Sequence, residues 1–385
     1  MRHTRTFYPV GHGAFFVEAL DYEGYSPFIT VYDCGDSAKG TLVQNYAEKA
    51  LGRKEDENRA IIDVLFISHF DSDHINGLKH LKPYITQNTH VFLPFFDDKY
   101  KDIYKRSKRD GIASVIRVLL EKRIKPILVR YQEEGQPEDF DLDKPLADGD
   151  HASNDSPYPV IPSGTPIIKS TFDIWKYVPY NLFNEAKLFH DFRAKIKASK
   201  NWSEAKLNNP ETWTEDEIRE LRQIYSTIST YSINVNSLLV LSMPTFTEYM
   251  FIDELSGEYI QKGYLVECNR CHPTAVVASS LYTGDTVLKR NSQGKYNQAY
   301  IHLLARLRLQ TNRIGLMQIP HHGSSNNINI VTLSDCISCA LFCNYGTNDV
   351  GNKTFLLNST SIKSIWKDIF HVTENISPIV ISLVY

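Results

Sequence analysis

Residues 60–74 read A-I-I-D-V-L-F-I-S-H-F-D-S-D-H. The first nine, Ala60 to Ser68, form a nearly continuous apolar run of strand length, which predicts a strand covered on both faces rather than one with a wet side. The run then stops, and His69, Asp71, Asp73 and His74 put four metal-binding groups within the next six residues. The mouth of a buried strand is where α/β proteins place their sites. Alternate side chains of an extended segment point the same way, so His69 and Asp71 can share one ion. Asp73 and His74, at the start of the next helix, can meet a second. Capping of that helix by Asp and Ser would explain one or two of these residues, but not both histidines.

The surrounding chain repeats the same alternation. Upstream, strands are expected over Ala14 to Leu20 and Pro27 to Tyr32, joined by a D-Y-E-G-Y-S turn, with a helix over Thr41 to Leu51. Downstream come a helix near Ile75 to Leu81, a strand His90 to Pro94, an amphipathic helix Gly111 to Arg123 and a strand Lys125 to Arg130. Strand, polar loop and helix in alternation predict an α/β fold. Residues 132–170, rich in Asp, Glu, Pro, Ser and Gly, read as loops with short strands. From 182 to 232 the pattern turns helical, with a Thr214-x-x-Glu217 capping box, and predicts a helical insertion. Strand patterns resume at Ser237 to Leu241, Glu248 to Ile252, Tyr264 to Glu267 and Ala275 to Leu281. A helix Gln298 to Leu309, strands Arg313 to Ile319 and Ala340 to Asn344, a helix Thr360 to Phe370 and a strand Ile379 to Val384 complete the expected order.

Composition bounds the partners. The 385 residues carry 42 Lys plus Arg against 45 Asp plus Glu, a formal net charge of -3 that excludes nucleic-acid binding through bulk positive charge. Any such contact must be local. No stretch reaches the roughly 18 uninterrupted apolar residues of a membrane span, and the opening residues lack an apolar signal region, so a cytoplasmic protein is expected. Six Cys are too sparse for a disulfide scaffold. Cys268-x-x-Cys271 and Cys336-x-x-Cys339 could pair around a structural zinc, or serve as buried thiols where the second runs into an apolar strand.

Two later fragments converge on the first motif. Leu281-Tyr282-Thr283-Gly284-Asp285 and Gln318-Ile319-Pro320-His321-His322-Gly323-Ser324 each follow an apolar strand. With His69, Asp71, Asp73 and His74 they supply seven N/O ligands, enough for two ions with an open position for water. The combination H-x-D-x-D-H, T-G-D and P-H-H-G-S resembles the metallo-β-lactamase superfamily, and within it most resembles the ComEC-type domain attached to bacterial DNA-uptake channels. The likeness takes in Gly11-His12-Gly13, Tyr32-Asp33-Cys34-Gly35, Asn236-Ser237-Leu238-Leu239-Val240 and Phe370-His371-Val372-Thr373. It spans essentially the whole chain outside the insertion.

The resemblance implies a four-layer αββα sandwich of residues 1–385, with the insertion at 182–232 near the mouth of the site. It implies that His69 and Asp71 bind one metal and Asp73 and His74 the other. Asp285 would bridge them, and one of His321 and His322 would complete the set. Asp33 would support the site without ligating. The family's separate third-motif histidine has no clear counterpart; His151 and His190 fall in the right interval. Ala14 replaces the family's usual acidic residue, and where the family shows a Gly-His-Pro run after the strand ending in Asn344, this chain reads N-Y-G-T-N-D from Asn344 to Asp349.

Two divalent ions activate a bridging hydroxide and hold a phosphoryl or carbonyl group in line with it. The expected cofactors are therefore two divalent ions, Zn or Mn, and Asp rather than His at position 71 hardens the ligand set towards Mn. His321 is read as a ligand. Asp73 and His322 are read as catalytic, His322 contacting the transition-state oxygen or protonating the leaving group. Lys101, Lys105 and Arg106, in a basic stretch interleaved with tyrosines, and Asn344 are the candidate substrate contacts. The leading expectation is a metal-dependent phosphodiesterase, a nuclease acting on DNA or RNA. The alternatives are a hydrolase of a cyclic nucleotide, thioester or lactam, and a metal-binding sensor or partner module without catalysis. Eight basic residues from Lys187 to Arg222 are balanced by eight acidic ones from Glu185 to Glu220, so the insertion reads as a lid rather than a grip.

Overall fold

Val64, Leu65 and Phe66 are fully buried and form a parallel strand between Phe28–Tyr32 and His90–Pro94, the environment that an apolar run without alternation requires. The computed structural model describes residues 2–96, 111–131, 137–144, 152–153, 156–172, 174–182, 185–200, 202–207, 209, 212–228, 237–245, 250–252, 259–261, 264–268, 279–286, 288, 303–307, 314–324, 338–344, 369–373 and 377–384. Their strands fall into two large sheets. The first runs in the order Met250–Ile252, Tyr259–Gln261, Tyr264–Cys268, Ile379–Val384, Arg2–Phe7, Phe16–Asp21, Phe28–Tyr32, Val64–Phe66, His90–Pro94, Ile127–Arg130, Ser156–Pro162, Ala152–Ser153. The second runs Ile369–Val372, Ser338–Asn344, Ile314–Gln318, Ser280–Tyr282, Leu238–Pro244, Trp175–Asn181, Ile167–Ile168, Phe140–Asp141.

The two sheets pack face to face. Phe7, Phe16, Tyr32, Phe66 and Phe92 from the first meet Trp175, Tyr177, Val240, Tyr282, Leu316 and Val372 from the second in one buried layer. Its rings interlock across the gap, with Tyr32 and Tyr282 centred 5.0 Å apart and Phe66 and Tyr177 5.8 Å apart. The opposite face of the first sheet, through Val31, Leu65, Ile67, Val91 and Leu93, is covered by the helices Thr41–Leu51 and Gly111–Glu121 with Val43, Ala47, Val115 and Leu119. Tyr180, three residues on from the inward-facing Tyr177, points to the far face of the second sheet, where Arg306 of a helical segment at 303–307 flanks it across Gly164. The protein is thus α/β, with helices outside two stacked sheets.

The sandwich also buries an ionic knot. Glu18 accepts from Arg5 Nε at 3.0 Å, His3 Nε2 at 3.1 Å, Ser242 Oγ at 2.7 Å and the Tyr282 hydroxyl, which joins the two sheets through one carboxylate. Burial would raise the Glu18 carboxyl, but Arg5, His3 and Tyr282 outweigh it and hold it far below the usual carboxylate range. For His3, burial and then Arg5 win over Glu18, and its pKa falls to about 4.

Topology places the site. Phe28–Tyr32, Val64–Phe66 and His90–Pro94 are parallel, as are Ser280–Tyr282, Ile314–Gln318 and Ser338–Asn344. The C-terminal ends of Phe28–Tyr32, Val64–Phe66, Ser280–Tyr282 and Ile314–Gln318 lead into Asp33, His69, Asp285 and His321. The insertion consists of helices Glu185–Lys200, Glu204–Leu207 and Glu215–Ile228, held by their own core of Phe192, Ile196, Leu207, Trp213 and Leu221. Its capping box forms: Thr214 N donates to Glu217 Oε2 at 2.9 Å, and Glu217 N donates to Thr214 Oγ1 at 3.3 Å.

Several boundaries differ from the sequence reading. Only Val64–Phe66 of Ala60 to Ser68 joins the ladder; Ile62, Asp63 and Ile67 make isolated bonds to Tyr84, Ile29 and Phe92 instead. The helix expected over Ile75 to Leu81 is broken into Ser72–Ile75 and Leu78–Leu81, because Asn76 is taken by Asp36 and Gly77 N donates to Cys34 O. Three strands were not anticipated, one of them the short Tyr259–Gln261. Arg2–Phe7 carries the polar His3 and Arg5 at alternate positions, yet both are buried by the ionic knot. Trp175–Asn181 contains Pro179, which is accommodated past the end of the ladder that Ile167–Ile168 makes with Lys176 and Tyr177. The helix expected over Thr360 to Phe370 lies mostly outside the described residues, and its end at Ile369 and Phe370 is strand.

Candidate metal centre

Asp33 leaves its strand in a left-handed conformation, φ 56°, a turn that Asp tolerates better than most residues. Its carboxylate then faces the segment after Val64–Phe66. Oδ1 accepts from Ser68 N at 2.6 Å; Oδ2 accepts from Ser68 Oγ at 2.7 Å and from His74 Nδ1 at 2.8 Å. An ionised carboxylate only accepts, so His74 must carry its proton on Nδ1 and Ser68 must spend its hydroxyl proton on Asp33. The Ser68 oxygen, 2.9 Å from His69 Nδ1, is then left to accept, and His69 is also protonated on Nδ1. One buried carboxylate thereby turns the Nε2 lone pairs of both histidines outward, the arrangement typical of metal-binding imidazoles. His69 Nε2 is buried and has no hydrogen-bond partner among the described residues.

Glycine lets these segments approach. A Cβ on Gly35 would stand 1.9 Å from Asp73 O, and one on Gly284, at φ 52°, would stand 2.8 Å from Ser68 Cβ. Any side chain at Gly35 would push away the helix turn that carries Asp73, and one at Gly284 would push the Asp285 loop away from Ser68.

Asp285 sits between two groups. Its Oδ2 is 3.7 Å from His69 Nε2 and 3.7 Å from His321 Nε2, and His69 Nε2 is 3.9 Å from Asp71 Oδ2. Its Oδ1 is 3.3 Å from His74 Nε2 and 3.8 Å from His322 Nε2, and His322 Nε2 is 3.6 Å from Asp73 Oδ2. His69, His74 and Asp285, and likewise Asp73, His74 and His322, bring ligand atoms within 4.8 Å of one another. The two sets share His74, and each could hold a metal ion. His321 and His322 reach Asp285 because both adopt left-handed backbone, φ 49° and 53°, a strain of about 1–3 kcal/mol per residue that clusters at functional sites.

The electrostatics fit a cation. Burial works against ionisation of Asp285, but His74, His322 and His69 outweigh it and hold its pKa well below the carboxylate norm. Burial likewise opposes the Asp73 charge, and the approach of His322 Nε2 at 3.6 Å and the charge of His74 reverse that. At His74 burial favours the neutral ring, yet Asp285 and Asp33 on either side raise its pKa well above the usual histidine value. The buried carboxylates call for positive charge where the imidazole nitrogens converge, and a proton on His74 Nε2 is what a divalent ion would replace.

All of His69, Asp71, Asp73, His74, Asp285, His321 and His322 therefore lie on one edge of the sandwich. Asp71 and Asp73 are its most open members, each half-buried, with side chains 46% and 38% open. Lys101, Lys105, Arg106 and His151 lie outside the described residues. Asn344 ends the strand Ser338–Asn344 opposite Val372. His190 lies in the helix Glu185–Lys200, with its side chain outside the described set. Cys268 and Cys339 occupy strands of different sheets, and Cys271 and Cys336 are outside the described residues. Sequence reasoning passed over Ser68, whose only signal is its place beside His69, and His12, whose ring lies 4.9 Å from that of His322.

The insertion is rooted at this edge. Asn181, which precedes it, pairs with Leu238, which follows it, and Leu238 N donates to Ser68 O at 2.7 Å, one residue from His69. Among the described residues no helix is long and apolar enough to cross a membrane. No protein-family model matches the chain, and no curated protein matches its sequence.

Proposed function

We propose that this chain is a two-metal hydrolase of the metallo-β-lactamase type that cleaves phosphodiester bonds, acting as a nuclease on DNA or RNA. The observation that carries the reading is the division of the imidazoles and carboxylates between the two oxygens of Asp285, with His69, Asp71 and His321 on one and His74, Asp73 and His322 on the other. Two bound divalent ions, Mn or Zn, would supply a water activated near neutral pH and charge stabilisation for a phosphoryl group.

The chain's own residues do the rest. Asp33 and Ser68 fix the histidine tautomers. Asp73, open to solvent on one side, orients the attacking water by accepting its hydrogen bond. His322, between Asp73 and Asp285, joins the second ligand group, which makes it a ligand first; His12, against its ring, is the less buried of the two. The basic stretch with Lys101, Lys105 and Arg106 offers phosphate contacts to a polymer.

The helical unit rooted beside His69 favours a second reading, a small phosphodiester or acyl substrate enclosed beneath the insertion. Incubating the purified protein with Mn or Zn and linear DNA, RNA or bis(p-nitrophenyl) phosphate separates the readings. Polymer cleavage that is lost in Asp73→Ala and His74→Ala supports the nuclease. Turnover of the small diester alone supports the second reading, and metal binding without turnover of any substrate leaves a non-catalytic metal-binding module.

A further inference from the structure

The loop that carries Asp285 is clamped from two sides by residues outside the ligand set. Thr283 N and Gly284 N both donate to Oε1 of Gln318, at 2.9 and 3.1 Å, and Thr283 Oγ1 donates to Gln318 O at 3.1 Å. Asp285 N donates to Ser237 Oγ at 3.3 Å, Thr286 Oγ1 donates to Ser237 O at 3.4 Å, and Thr286 N closes the turn on Thr283 O at 3.3 Å. Every backbone N–H from Thr283 to Thr286 is thus accounted for, two of them by a single side-chain carbonyl.

Gln318 is 3% exposed and Ser237 fully buried, so neither has water as a substitute partner. Gln318 ends the strand that leads to His321 and His322, and His321 N in turn donates to Gly284 O at 3.1 Å. Ser237 is the last residue before the strand Leu238–Pro244 that emerges from the helical insertion. The clamp therefore ties the Asp285 turn to the histidine pair on one side and to the stem of the insertion on the other.

We propose that Gln318 and Ser237 are positioning residues that set where the Asp285 carboxylate stands between the two ion positions. This rests on the two-metal reading above. Gln318 is the stronger member, since its loss strands two buried N–H groups, whereas loss of Ser237 strands one at longer range. Partners that orient metal ligands typically change affinity roughly 10- to 100-fold when removed.

The test is calorimetric titration of the metal-stripped full chain with Mn, together with Mn electron paramagnetic resonance to detect two ions coupled through a shared carboxylate. The wild type is expected to take two coupled ions. In Gln318→Leu one ion should bind roughly 10- to 100-fold more weakly and the coupling should vanish. Gln318→Glu, which keeps an acceptor for both N–H groups, should restore both, and Ser237→Ala should give a smaller loss. Thermal unfolding in chelator identifies a variant that has failed to fold; for that case Thr283→Val, which removes only the Oγ1 bond, supplies a milder step in the same direction. A folded Gln318→Leu that keeps two coupled ions at wild-type affinity overturns the proposal, as does a folded Gln318→Glu that behaves like Gln318→Leu. A wild type that takes no pair of ions fails the two-metal reading instead.

Discussion

At the scale of single residues, the centre depends on proton bookkeeping around Asp33. Asp33→Asn presents an amide whose NH2 can no longer accept from both Ser68 and His74, so the tautomers of His69 and His74 lose their common reference. We expect roughly 10- to 100-fold weaker Mn binding with the thermal midpoint little changed in chelator, checked by calorimetry and unfolding of the metal-stripped protein. Gly35→Ala makes the opposite demand. Its Cβ would stand 1.9 Å from Asp73 O, so backbone must move, and a loss of several kcal/mol in chemical denaturation is expected. Wild-type stability for that variant would mean that Gly35 and Asp73 are not held together as described. The seven candidate ligands that the structure brings together stood out because metal chemistry favours His and Asp placed at or just after strand ends. Ser68, Gln318 and Ser237 were not, because a hydroxyl or amide that supports a ligand carries no signature until the strands that bring it there are paired.

At the scale of elements, the sequence was most informative where periodicity was strong. Thr41–Leu51 and Ile379–Val384 have the boundaries that their apolar spacing predicts, and Thr214 caps Glu215–Ile228 through the expected box. Where tertiary contacts replaced local signals, the sequence misled. Arg2–Phe7 reads as a polar opening, but it is a central strand because Glu18 neutralises Arg5 and binds His3. The same pairing has a pH consequence. The His3 pKa is about 4 in the folded protein against an ordinary 6.5, so between those values the unfolded chain binds the extra proton and stability must rise with pH. Glu18, held far below its ordinary value, adds stability that is present above the unfolded carboxylate pKa and is lost as pH falls through it. Denaturation of wild type between pH 4 and 6.5 should lose up to about 3 kcal/mol on acidification from His3 alone. His3→Gln, which can still donate to Glu18, should flatten that part of the profile; an unaltered slope would refute the assignment.

At the scale of the whole molecule, two stacked sheets whose parallel strands end on one edge collect seven candidate ligands from three distant stretches of chain. The formal charge of -3 conceals this concentration, because Asp71, Asp73 and Asp285 are among the acidic residues counted. Two divalent ions would reverse the local sign without altering the composition that argued against a polyanionic partner. The helical insertion has its own core and joins the sandwich through the paired strands Trp175–Asn181 and Leu238–Pro244. Replacing residues 183–236 with a short Gly-Ser linker should therefore leave a folded protein that still binds Mn, with activity shifted towards larger substrates, as a comparison of rates on a polymer and a small diester would reveal. Loss of the cooperative unfolding transition in that variant would show instead that the insertion is part of the main core.

The central claim is that Asp285 separates two adjacent cation positions. Anomalous diffraction from crystals of the full chain soaked in Mn tests it most directly. Two peaks about 3.5 to 4 Å apart are expected, one on the side of His69, Asp71 and His321 and the other on the side of Asp73, His74 and His322, with an Asp285 oxygen facing each. A single peak, or peaks away from Asp285, would contradict the account.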